Sequence, residues 1–302
     1  MINGSFSSPV APVTPMTSPA PSPMAALLSG ASIEVMPRTL AAIPDLRALL
    51  APGTRVYVAN IEGTPFSDML AATRRLRAEG FEPMPHFPAR LIADRAALRA
   101  QISAYRGEAD VREALLLAGG VKKPVGQFDN SMQLLNSGAF DDFARLHVAG
   151  HPEGNRDIDP SGGQKRLLEA LFTKQDFAQQ SGIPMAIVTQ FAFEAAPVID
   201  WARNLRTEGI TLPVHLGVAG PAKLQTLLKF AIACGVGASL RTLQKRARDV
   251  TKLMAPFTPA DLLAAVAAHR ASHPDSLIEA VHFFPLGGIK ASAEWLAAQK
   301  KG

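Results

Sequence analysis

From Ser32 onward the chain alternates between two kinds of segment. One kind is short and rich in β-branched or aliphatic residues, and the other is longer with apolar positions recurring every three or four residues. The short segments are SIEVM (32–36), RVYVAN (55–60), EPMPHF (82–87), EALLLAG (113–119), LHVAG (146–150), MAIVTQF (185–191), PVHLGV (213–218) and AVHFF (280–284). Strands that read as near-continuous apolar runs belong to sheets covered on both faces, and intervening helices make such a sheet parallel. Eight strands over about 270 residues predict an α/β protein, the (β/α)8 TIM barrel.

The longer segments read as helices. DMLAATRRLRAEG (68–80) sets Met69, Leu70, Ala72 and Leu76 on one side, keeps Arg74, Arg75 and Arg77 elsewhere, and can close on Gly80. DRAALRAQISAYR (94–106) opens on an N-cap residue, Asp94, and stripes Leu98, Ile102 and Tyr105. PAKLQTLLKFAIACG (221–235) does the same with Leu224, Leu227, Leu228 and Ala231. SLRTLQKRARDVTKLM (239–254) and TPADLLAAVAAHRASH (258–273) both precede the eighth strand, so an extra helix is expected there. Residues 1–30 carry no charged side chain and are rich in Pro, Ser and Ala. With no apolar face and few backbone donors, they are expected to form a disordered tail ahead of a barrel domain at 31–302.

Composition narrows the function. The 302 residues carry 31 Lys plus Arg against 26 Asp plus Glu, a net +5 that suits an anionic ligand as readily as nucleic acid. Only 6% are aromatic and no basic run is interleaved with them, so no nucleic-acid partner is expected. The densest basic stretch, Arg241, Lys245, Arg246, Arg248 and Lys252, reads as the solvated face of a helix. No apolar run reaches the ~18 residues of a membrane helix, so no membrane partner is expected. The lone Cys234 makes neither an internal disulfide nor a cysteine-cluster zinc site, and the seven histidines lack metal-ligand spacing, so no metal is expected. The first 30 residues have no basic n-region and no arginine occurs before Arg38, which leaves the cytoplasm as the expected compartment.

Chemistry in such a barrel gathers at the carboxyl ends of the strands. The first strand carries Glu34 between Ile33 and Val35, where desolvation would raise its pKa and suit it to general acid work. An ion pair with a basic neighbour such as Arg38 is the structural alternative. The second strand ends in Ala59 and Asn60, followed by Ile61, Glu62 and Gly63. Pro85 and Pro88 bracket His86 and Phe87 at the end of the third. The fourth ends in Ala118, Gly119 and Gly120, a bare turn that a flat ligand or phosphate can approach. The fifth runs into His151, Glu153, Asn155, Arg156 and Asp157; the sixth ends in Thr189 and Gln190, and the seventh offers His215, Gly217 and Gly220. Together these groups favour a large ligand lying across the barrel mouth.

These motifs, in this order from about Ser32 to Trp295, resemble methylenetetrahydrofolate reductase. SIEVMPR is similar to the family's first strand, which implies that Glu34 protonates the folate and opens its methylene bridge. PHF (85–87) resembles the pair whose histidine touches the flavin, implying His86. VAGHPEG (148–154) is similar to the fifth-strand motif, implying cofactor contacts from His151, from the downstream acid Asp157 and from the helix lysine Lys174. Ala59, Gly119 and Gly120 are expected to join them around the cofactor. IVTQF (187–191) implies that Gln190 touches flavin and folate. HLGVAGP (215–221) resembles the loop shaping the folate and nicotinamide pocket, so Gly217, and Leu224 just beyond it, are expected at the substrate. HFFPLGG (282–288) corresponds to the last strand.

The chain also departs from the family. Ala118, Gly119 and Gly120 stand where an Arg-Gly-Asp turn holds the flavin phosphate, and Leu167, Ala170 and Gly288 replace polar or charged positions. The resemblance implies NAD(P)H and FAD as cofactors. The departures leave open a flavin-free route, in which hydride passes directly from nicotinamide and Glu62 is a second carboxylate beside the substrate. The expected activity is NAD(P)H-dependent reduction of 5,10-methylenetetrahydrofolate to 5-methyltetrahydrofolate. A non-catalytic folate- or nucleotide-binding barrel and a demethylation-linked folate accessory enzyme are the alternatives, and a homo-oligomer is left open.

Overall fold

The computed structural model describes residues 21–233, 243–244 and 256–301. Eight parallel strands close in sequence order. They are β1 (Ser32–Val35), β2 (Arg55–Val58), β3 (Glu82–Pro88), β4 (Glu113–Leu117), β5 (Arg145–Gly150), β6 (Met185–Thr189), β7 (Val214–Ala219) and β8 (Ile278–Phe284). All eight expected strands are present, each within a few residues of its sequence-predicted bounds.

Alternation along each strand divides the molecule into two interiors. Ile33, Val35, Val56, Val58, Leu116, Val148, Ile187, Leu216 and Val281 point outward and bury against the surrounding helices. Tyr57, Met84, Leu115 and Val188 form a small separate cluster inside the barrel. At the amino ends of the strands, Arg55 pairs bidentately with Glu113, and Arg145 Nε stands 3.6 Å from the same carboxylate. This ionic floor lies at the end of the barrel that serves stability.

The helices follow from their periodicity. Phe66–Ala78 buries Met69, Ala72 and Leu76. Arg95–Ala109 starts on Asp94, whose Oδ1 accepts the Ala97 amide at 2.7 Å, and buries Leu98, Ile102 and Tyr105. Two described helices, Leu224–Ala233 and Ala260–Ser272, lie between β7 and β8, one more than the barrel requires. Apart from Leu243 and Gln244, which are helical, the segment 239–254 lies outside the described residues, and Arg241, Lys245, Arg246, Arg248 and Lys252 with it.

The tail boundary needs correction. Residues 1–20 lie outside the described residues, but Pro23–Leu28 form a helix, α1. Ser22 Oγ accepts the Ala25 amide at 3.2 Å, and Pro23 sits in the first turn, where a missing N–H costs nothing. Leu27 and Leu28 are fully buried, and the helix packs on Ala260–Ser272, on Ile289–Lys301 and on β8. A composition rich in proline hid an element whose stability comes from these tertiary contacts.

Candidate active site

Glu34 points into the barrel from β1, with its side chain 20% exposed. Its Oε2 faces His86 Nε2 at 3.4 Å and His282 Nε2 at 4.0 Å. No ion pair with Arg38 forms, so the structural alternative is not realised. Burial pushes the Glu34 carboxyl up to about 7. Burial also pushes His86 down to about 3 and holds His282 well below the imidazole range. The carboxyl therefore faces neutral rings and keeps its proton near neutral pH, as a general acid requires.

Below Glu34 the barrel axis is polar. Ser32 Oγ hydrogen-bonds His282 Nδ1 at 2.9 Å. The Tyr57 hydroxyl hydrogen-bonds His147 Nδ1, and the His147 ring stands edge-on to His215 with centroids 4.6 Å apart. His215 Nε2 reaches Glu279 Oε2 at 3.5 Å. His86 Nε2, His147 Nε2 and His215 Nδ1 have no hydrogen-bond partner, an unusual amount of unpaired polarity in a protein core.

At the end of β4, Gly119 takes a positive φ of 99°, and a Cβ there would stand 3.1 Å from the Pro88 side chain; beside Gly120 there is open space. Beside this turn lies the guanidinium-bearing Arg90, on a single 3₁₀ turn (Ala89–Leu91) that follows β3, its amide bonded to the Ala118 carbonyl at 2.9 Å. Arg90 is 8% exposed. It donates to Asp129 Oδ1 at 2.9 Å, to Asp157 Oδ2 at 2.8 Å and to the Val121 carbonyl at 3.2 Å. One buried cation thus ties the loop after β4 to the loop after β5, and Asp157 is its counter-ion.

This donor set does not fit a flavin diphosphate. Arg90 is already matched by two carboxylates, which would repel phosphate oxygens. Lys174, the other buried cation among the described residues, lines a different cavity together with His151. None of Glu34, His86 or Gln190 lines that cavity.

The remaining expected positions are scattered. Ala59 is buried and continues the ladder through its amide to the Val35 carbonyl at 2.8 Å. Glu62 is exposed in the turn after β2, and no hydrogen bond or ion pair joins it to Glu34. Gln190 ends β6 and turns its Oε1 back onto the Phe191 amide at 3.1 Å. Gly217 is required by packing, because a Cβ there would stand 2.3 Å from the Thr189 carbonyl. Leu224 is 4% exposed and packs in an apolar cluster with Phe191, Phe193 and Leu227. Of the expected residues, the structure sets Glu34 beside His86, and His151 beside Lys174.

No protein-family model matches the chain.

Tyr57, His147 and Arg90 escaped the strand-end reading. Tyr57 and His147 sit in mid-strand, where only the period-two alternation could have shown them facing the barrel interior. Arg90 in the apolar run PARLIA was the one local hint of a buried cation. Among the described residues no cluster of His, Cys, Asp or Glu could hold a metal ion, and no helix is long and apolar enough to cross a membrane.

Proposed function

We propose that the protein reduces 5,10-methylenetetrahydrofolate to 5-methyltetrahydrofolate with hydride taken directly from NAD(P)H. The observation that carries this reading is the Glu34 carboxyl, buried on β1 beside His86 and His282 and pushed up to about 7 by that burial. Glu34 gives its proton to the imidazolidine nitrogen, the adjacent C–N bond breaks, and the methylene carbon becomes an iminium ion. Hydride from the nicotinamide ring adds to that carbon, giving the methyl product and NAD(P)+. Glu34 is left as a carboxylate and regains a proton from water. Such proton delivery contributes roughly 10²–10⁴-fold to rate. The barrel mouth supplies the rest by holding donor and acceptor face to face. FAD has no part in the proposal, since Asp129 and Asp157, the two carboxylates already paired with Arg90, would repel its diphosphate.

The test is NADH and NADPH oxidation by the full chain with methylenetetrahydrofolate, for wild type and Glu34→Gln. The expected result is turnover by wild type and a loss of at least ~10²-fold in the variant, with ligand binding retained. The wild-type rate should also fall as pH rises through about 7, where Glu34 loses its proton. Wild-type-like turnover in Glu34→Gln refutes the assignment of the acid. Binding without turnover by wild type refutes the reductase and favours a folate-binding barrel.

A further inference from the structure

Outside the barrel wall, the helices Lys165–Ser181 and Ala195–Thr207 leave between them a cavity of about 410 Å³. That volume lies in the range of small-molecule sites. One side of its wall is hydrocarbon, since Leu167, Leu171, Trp201 and Leu205 are all buried and all line it, and Gln164, Asn204 and Thr207 add polar groups. Gly150 completes the wall, because a Cβ there would stand 2.3 Å from Ile187 Cγ2 and 3.2 Å from the Trp201 ring.

Lys174 also lines this cavity and is only 6% exposed. It makes no hydrogen bond or ion pair with any described residue. An ammonium that opens only onto a cavity, with no counter-ion beside it, has its charge poorly compensated. Burial lowers its pKa to about 8, so it is still largely charged at neutral pH. No neighbour offsets that charge. His151 is pushed down to about 4 by burial and then by Lys174 itself, which leaves it neutral. Asp157 is engaged by Arg90, and Glu208 stands exposed on the rim.

We propose that this cavity binds an organic monocarboxylate, its charged head on Lys174 and its apolar body against Leu167, Leu171 and Trp201. One buried ammonium matches one negative charge. A polyphosphate would need a second cation and would meet Glu208 at the rim. The site is separate from the barrel mouth and does not depend on the folate reading.

The test is calorimetric titration of the full chain with 3-phenylpropionate and with its uncharged analogue 3-phenylpropanamide. A charge-assisted bond to a buried ammonium predicts that the carboxylate binds about tenfold or more tightly than the amide. Lys174→Met should erase that preference, and Lys174→Arg should keep it, with circular dichroism confirming that each variant folds. Equal affinity for the two probes, no saturable binding of the carboxylate, or a preference surviving in a folded Lys174→Met chain would each overturn the proposal.

Discussion

Replacing Glu34 by Gln has a consequence that can be read without any substrate. In the folded protein Glu34 keeps its proton up to about pH 7, whereas an unfolded chain gives it up near 4.5. Below the lower value both states hold the proton and the group is neutral in its effect. As pH rises through the window, the unfolded chain releases its proton while the fold does not, so stability is lost until about pH 7 and then levels off. That interval corresponds to a cost of ~3 kcal/mol above pH 7. Glutamine is nearly isosteric and never ionises, so Glu34→Gln should match wild type near pH 4 and exceed it by ~3 kcal/mol near pH 8. In melting temperature this is on the order of 5–10 °C. His86, His147 and His282, all held below the ordinary imidazole value, give the opposite slope, since they destabilise the fold as pH falls. They are present in both proteins, so the difference between the two thermal profiles isolates Glu34. A difference that stays flat from about pH 4 to 8 would refute the buried, protonated carboxyl.

Two further substitutions test the scaffold around the mouth. Arg90→Met removes the charge-assisted bonds to Asp129 and Asp157. Because both carboxylates are about half exposed, it should cost ~1–3 kcal/mol rather than the full penalty of a buried pair, and hydrogen exchange should rise in residues 118–129 and 151–158 together. Gly217→Ala places a methyl group 2.3 Å from the Thr189 carbonyl, so chemical denaturation should show a loss of ~1–3 kcal/mol. An unchanged midpoint would mean that β6 and β7 can part there freely.

The fold was legible because parallel strands sealed on both faces leave unbroken apolar runs, of which MAIVT and EALLL are plain cases. The start of one helix was legible because a cap residue, Asp94, fixed it; its end was not, since Asp110, at a φ of 44°, closes the helix beyond the expected Arg106. Glu34 stood out as a carboxylate inside a strand. What stayed hidden depended on distance in sequence. Arg90 meets Asp129 and Asp157 across 39 and 67 residues, and Tyr57 meets His147 across 90, so no local spacing announces either contact. Leu224 and Gly217 were read as ligand positions, but both sit in tightly packed surroundings. Lys174 and Trp201 line one cavity from two different helices, which periodicity within either helix does not encode.

β8 meets β1 through only two register pairs, Ser32 with His282 and Ile33 with Phe283, whereas β7 and β8 share six. This narrow seam joins strands from opposite ends of the sequence, the costliest loop to shut. Leu27 and Leu28, lying just before β1 and packed on β8 and the last two helices, act as the clasp of a bracelet. Cutting the chain at residue 30, where composition alone would place the edge, would take the clasp away and leave a two-pair seam to hold the ring shut.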